Sequence, residues 1–235
     1  MCLCRDSAVL HRSKPAILQG EREYKLDSRA AEALYAMLAE MKAAGISDIM
    51  VASAYRSYAY QTSLFNMYTA NEMKKDPSLT LAQAQAITAT YSARPGTSEH
   101  QTGMALDIVS YSYQYLNQKQ EETAEQKWLM EHSWKYGFVL RYPSDKTEVT
   151  GIIYEPWHYR YVGKEMAKEL IALYAKRKRT KGIAFDPDDD MCRQFADSFE
   201  YEETEGQSTA IADIRRDMEA SYPMDRLLCG DVGYG

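Results

Sequence analysis

A single carboxylate interrupts the apolar run Met104-Ala105-Leu106-Asp107-Ile108-Val109, and no other residue constrains the fold as tightly. Alternation puts Met104, Leu106 and Ile108 on one face of a strand and Asp107 on the other. Buried without a partner, that carboxylate would cost several kcal/mol or take up a proton. Bound to a cation it is stable. The fold therefore has to bring cation-binding partners to Asp107, and the chain has only four histidines to offer. His100 lies just upstream, across Gly103, in Ser98-Glu99-His100-Gln101-Thr102-Gly103. His158 lies far downstream, in Glu155-Pro156-Trp157-His158-Tyr159.

Two imidazoles and one carboxylate form a zinc ligand set that leaves a coordination position open, the layout of a hydrolase rather than of a structural metal site. A bend at Gly103 can bring His100 and Asp107 onto one metal, and His158 must arrive from a distant strand. Glu155 and His158 have opposite parity, so a regular strand would send them to opposite faces. Pro156 points to an irregular turn that aims both inward. This is not the helical His-Glu-x-x-His arrangement. Glu155 is the candidate general base, taking a proton from the attacking water and passing it to a leaving amine. Arg56 is the candidate for stabilising charge on the carbonyl oxygen or for gripping a substrate carboxylate. His132, within a helical stretch, and His11, in the irregular start, lack such a context and read as ordinary structural or surface residues.

Periodicity and punctuation predict helices over residues 29–44, capped from Asp27-Ser28 and ended by Gly45, then over 58–73, 81–91 (capped by Thr80) and 121–136, which stops at Gly137. Strands are predicted over 46–54, 104–109, 138–142 and 152–162, with 147–151 as the turn before the last. Strands and helices do not alternate regularly, so the expected class is α+β with a small, mainly antiparallel sheet and flanking helices.

The chain has 235 residues, 45% hydrophobic and 26% charged, enough to bury a real core. Most of its net charge of −6 belongs to the C-terminal part. Residues 164–235 carry 11 Lys and Arg against 16 Asp and Glu, and the first 163 carry 17 against 18. Nothing in that near-neutral first part argues for nucleic-acid binding. Tyrosines are numerous, and Tyr55, Tyr58, Tyr142, Tyr154, Tyr159 and Tyr161 flank the candidate site. Rings that also carry hydroxyls suit a polar peptide or sugar-peptide ligand. Cys2, Cys4, Cys192 and Cys229 show neither zinc-ribbon spacing nor a convincing disulfide framework. No apolar run has the length of a membrane span. Residues 1–20 read as an irregular segment without the hydrophobic core of a secretion signal.

Residues 26–163 resemble the VanY-type D-alanyl-D-alanine carboxypeptidases of the LAS metallopeptidase superfamily. Four motifs in order carry the resemblance: Ser53-Ala54-Tyr55-Arg56-Ser57 with Gln61; Ser98 to Asp107; Trp134-Lys135-Tyr136-Gly137-Phe138 with Arg141-Tyr142-Pro143; and Glu155-Pro156-Trp157-His158-Tyr159. The resemblance implies a LAS/hedgehog-like peptidase domain over 21–163, with His100, Asp107 and His158 as Zn2+ ligands, Glu155 as catalytic base and Arg56 as oxyanion and substrate-positioning group. It implies that Gln61, Ser98 and Tyr142 line the pocket for the terminal D-residue. The implied substrate is a peptidoglycan stem peptide or precursor, cut at the terminal D-alanine. L,D-carboxypeptidase or D,D-dipeptidase activity, or a zinc-binding interaction domain without catalysis, are the alternatives. Family members act mainly at the cell envelope or outside the cell.

Residues 164–235 do not continue that pattern. A basic helical stretch over 164–181 gives way to an acidic one over 186–205, then an amphipathic helix over 209–220. This segment resembles part of the transcription-repair coupling factor Mfd, notably in Leu173-Tyr174-Ala175-Lys176-Arg177 and in Met224-Asp225-Arg226-Leu227-Leu228-Cys229-Gly230. In that family the last run opens a phosphate-binding loop; here Gly235 precedes the lysine and threonine that would complete it, so no NTPase activity is expected. The expectation is a fused or misassembled reading frame with its junction between residues 163 and 168, the tail not being an independent functional domain.

Overall fold

The computed structural model describes residues 7–9, 24–186, 190–198, 203–221 and 223–224. The chain divides into two compact units, Met1–Glu169 and Leu170–Gly235.

In the first unit a short strand within the segment read as irregular, β1 (Ser7–Val9), pairs antiparallel with β2 (Lys25–Asp27). Helix α1 (Ser28–Ala43) follows, its first turn capped by the Asp27 carboxylate accepting from the Arg29 amide. Leu34, Met37, Leu38 and Met41 recur at helical spacing and are fully buried. Gly45 (φ 79°) ends the helix. The next strand, β3 (Ile49–Ser53), begins later than the apolar pattern predicts. The Ile46 amide is already committed to the Met41 carbonyl at 2.9 Å, so the helix stop, not the sheet, takes it. Helices α2 (Tyr58–Lys75) and α3 (Leu81–Ala89) follow as an adjacent pair, each started by a hydroxyl cap, Ser57 and Thr80.

Strand β4 (Ala105–Ser110) is preceded by a 3₁₀ turn over Glu99–Thr102, and Gly103 (φ 70°) joins the two. The single helix predicted over 121–136 is instead three pieces. A 3₁₀ turn over Gln118–Glu122 leads to Thr123, whose extended backbone and hydroxyl cap start α4 (Ala124–His132). A second 3₁₀ turn, Ser133–Tyr136, then ends at Gly137 (φ 89°). Strand β5 (Phe138–Leu140), a one-turn helix α5 (Thr147–Thr150) in place of the predicted turn, and β6 (His158–Tyr161) complete the unit. The four strands form one antiparallel sheet in the order β3-β4-β6-β5.

β4 is therefore central, and all six of its residues are buried. Leu106 and Ile108 join Tyr159, Phe138 and the apolar stripe of α1 in the main core. Asp107 faces the other way, as the alternation requires, and is buried there too. In the register, Asp107 stands directly opposite His158.

α6 (Lys164–Arg179) begins in the first unit and continues into the second, ending slightly before the predicted 181. The second unit holds α7 (Asp190–Asp197) and α8 (Glu205–Met218). α8 starts earlier than predicted because Thr204 and Gln207 form a reciprocal capping box. The segment after α6 is tied to the end of α8 by Gly182 N to Ser221 O and Phe185 N to Met218 O, both 3.0 Å. Among the described residues no helix is long and apolar enough to cross a membrane. His11, Cys2, Cys4, Cys229 and the run over 225–235 read as the start of a phosphate loop lie outside the described residues.

Candidate metal centre

His100, Asp107 and His158 each offer one ligand atom, and these atoms lie within 4.8 Å of one another, all three residues buried. The 3₁₀ turn carries His100, whose Nδ1–H donates to the Ala54 carbonyl at 2.7 Å and leaves Nε2 facing inward, 3.4 Å from Asp107 Oδ2. A second bond, Arg56 N to His100 O at 3.2 Å, fastens that turn to the chain leaving β3. His158 presents the other nitrogen: its Nδ1 lies 3.2 Å from Asp107 Oδ1. The two rings meet edge to face, 4.9 Å between centroids.

Glu155 reaches the same point through a tight turn. The His158 amide donates to the Glu155 carbonyl at 3.1 Å across Pro156-Trp157, and the Glu155 amide donates to Tyr142 O at 3.0 Å. The proline does what its position in the sequence suggested: it breaks strand parity and puts Glu155 Oε2 3.5 Å from His158 Nδ1. The strand predicted over 152–162 shrinks to β6 for that reason.

Buried polar atoms almost always have partners. Here His100 Nε2, Asp107 Oδ1 and Arg56 Nε have no hydrogen bond, and two of these are would-be ligand atoms. Nitrogen and carboxylate oxygen, converging and unsatisfied, fit a zinc-type cation. Around them the proton affinities diverge. Burial lowers His100. Burial alone would raise Asp107, yet His100 and His158 pull it far below the usual carboxylate range. Burial, with Asp107 acting in the same direction, lifts Glu155 to about 8 against the pull of His158 and Arg56. Burial would lower His158, but the carboxylates of Asp107 and Glu99 outweigh it and raise the ring to about 9.

The cleft over this cluster is lined by Arg56, Ser98, Tyr142 and Glu155, with Tyr91, Ala93 and Ile152 among its further walls. Arg56 Nη2 lies 3.6 Å from Asp107 Oδ2, and its Nη1 donates to Gln61 Oε1 at 3.0 Å. Tyr142 packs on the His158 ring at 4.8 Å. Gln61 departs from expectation. It is fully buried, and its amide nitrogen donates to the Ala93 carbonyl at 2.7 Å, so it braces Arg56 and the cleft wall from behind instead of lining the pocket. Of the flanking tyrosines, Tyr159 belongs to the core, where its hydroxyl meets Gln126, and Tyr58 is exposed. His132 lies on Trp128, away from the cluster.

Sequence reasoning assigned no role to Glu99 and Arg141. Glu99 Oε2 lies 3.4 Å from His158 Nε2, and Arg141 Nε donates to Glu99 Oε1 at 2.8 Å. Burial would raise Glu99, but His158 and Arg141 bring it down to about 2. The available signal was an unassigned acid and an unassigned arginine inside two motifs already singled out.

The D-alanyl-D-alanine carboxypeptidase of Enterococcus faecalis is 41% identical over 151 residues, covering 64% of this chain and 52% of that protein. The chain thus spans about half the length of the curated relatives it matches in this part. The solved structure of VanYB in complex with D-Alanine-D-Alanine is 38% identical with a TM-score of 0.56, over 64% of this chain and 79% of the other. A Glu-to-Ala mutant of the vancomycin-resistance D,D-pentapeptidase VanY in complex with Zn(II) is also 38% identical, with a TM-score of 0.55 over 66% and 82%. The remaining segment is similar to something else. The transcription-repair-coupling factor of Bacillus subtilis is 56% identical over 72 residues, 31% of this chain and 6% of that protein. Residues 23–164 match the family described as VanY: D-alanyl-D-alanine carboxypeptidase, and the chain belongs to that family.

Proposed function

We propose that residues 21–163 are a zinc carboxypeptidase that removes the terminal D-alanine from peptidoglycan stem peptides or their precursors. The observation that carries this reading is the convergence of three ligand atoms within 4.8 Å, two of them without hydrogen-bond partners, beside a buried glutamate. His100, Asp107 and His158 would hold Zn2+, which when bound acts as a Lewis acid and makes water a usable nucleophile at neutral pH.

The rest is done by the chain's own groups. Glu155, which the charge of a bound cation would keep ionised, accepts the proton of the attacking water at its carboxylate and delivers it to the departing amine. Arg56, its guanidinium held by Gln61, stabilises charge on the carbonyl oxygen or grips the terminal carboxylate. Ser98 and Tyr142 give the pocket for the terminal residue its polar and aromatic walls. Residues 164–235 add no function of their own to this reaction.

The test is release of D-alanine from a synthetic stem peptide ending in D-Ala-D-Ala. A chelator is expected to abolish it and added zinc to restore it. The Glu155→Gln protein is expected to lose about 10²- to 10⁴-fold in kcat. Full rate in that variant removes Glu155 from its role, and tight zinc binding without turnover of any stem peptide favours a recognition domain.

A further inference from the structure

The two histidines are oriented by different means. His100 is fixed by a main-chain carbonyl, which no substitution removes. His158 has only a side chain behind it, Glu99, and that side chain is held in a closed circuit. The Arg141 amide donates to the His158 carbonyl at 3.1 Å, Arg141 Nε donates to Glu99 Oε1 at 2.8 Å, and Glu99 Oε2 faces His158 Nε2 at 3.4 Å.

A neutral imidazole carries one N–H, and the partner of that N–H decides which nitrogen is free to ligate. At His158 two carboxylates compete. Asp107 Oδ1, 3.2 Å from Nδ1, favours a proton on the inward nitrogen, which would turn a ligand atom into a donor. Glu99 favours a proton on Nε2 and leaves the Nδ1 lone pair facing the centre. We infer that Glu99, steadied by Arg141, is a positioning residue that sets the tautomer and ring orientation of His158 for metal binding. Its place is also economical in chain terms, since one 3₁₀ turn carries both a ligand, His100, and the brace for the other, Glu99.

The inference rests on the zinc reading above and is tested on the full chain by three measurements. These are zinc affinity by chelator competition, the visible spectrum of the Co(II)-substituted protein, and stem-peptide kinetics at saturating zinc. Glu99→Ala is expected to bind zinc 10- to 100-fold more weakly, with a shifted Co(II) band and a lower kcat at unchanged KM. Glu99→Gln, which keeps an acceptor but not the charge, is expected to fall between it and the unaltered chain. If Glu99→Ala lacks the native circular dichroism of the zinc-free protein, Glu99→Gln decides by the same readouts. Zinc affinity within twofold of the unaltered chain and an unshifted Co(II) band overturn the inference. So does a rise in KM with zinc affinity unchanged, which would make Glu99 a substrate contact. If the unaltered chain itself binds no zinc, the zinc reading fails and this inference with it.

Discussion

Glu155 and Glu99 lie on either side of His158, and their surroundings drive them apart, to about 8 and about 2. The difference has a consequence for stability that needs no metal to measure. Glu155 holds its proton more tightly folded than unfolded, where its ordinary value is 4.5. Its contribution is therefore fully present below pH 4.5 and is lost as pH rises through 8. Glu155→Gln removes that loss. In metal-free protein the melting temperature of the variant, relative to the unaltered chain, is expected to climb steadily across pH 4.5 to 8; a flat difference would contradict the buried, proton-retaining state. At this scale the sequence was most informative where it was least tolerant. Asp107 in an apolar strand, and a proline between Glu155 and His158, each leave few physical solutions. Glu99 was invisible because nothing local distinguishes an acid that braces a histidine from one facing solvent, and the pairing depends on Arg141, which arrives from another strand end. Gln61 was misplaced for a related reason: a motif shows that a side chain matters near a site, not whether it faces the ligand or the wall behind it.

Helices with a recognisable cap or stop were legible, and their ends fall close to Asp27, Thr80 and Gly45. Strand ends were not, because their limits are fixed by what neighbouring segments do with the backbone. Ile46 is claimed by the end of α1, and residues 155–158 by a turn. Thr123 splits a pattern that is helical by periodicity alone. Gly137 shows how far such a junction can be tested. A Cβ there would meet the Gly163 carbonyl carbon at 2.8 Å and the Lys164 nitrogen at 2.9 Å, with φ at +89°. Gly45 has a similar φ of +79° but nothing within 4 Å. Gly45→Ala is expected to cost only the left-handed backbone term, about 1–2 kcal/mol. Gly137→Ala should cost more, because backbone atoms, which cannot rotate aside, stand in the way. Urea midpoints of the two variants at equal m-value measure the difference, and equal losses would remove the packing argument.

The molecule as a whole joins a family member to a segment similar to another protein, and the compact units divide at Glu169–Leu170, inside α6. A chain ended after Arg179, so that α6 stays complete, is expected to keep the zinc content and peptide turnover of the full chain. Loss of either would assign the C-terminal segment a role that we do not give it. Composition separated the two parts through charge alone, while the part that matches the family announced itself through ordered motifs; what neither could supply was the pairing of β4 with β6. In that pairing Asp107 and His158 are direct neighbours across the ladder. A one-residue slip would turn one of them to the opposite side of the sheet. A cation that joins both therefore rewards only the native alignment, and so works as a proofreader of how two distant stretches of chain zip together.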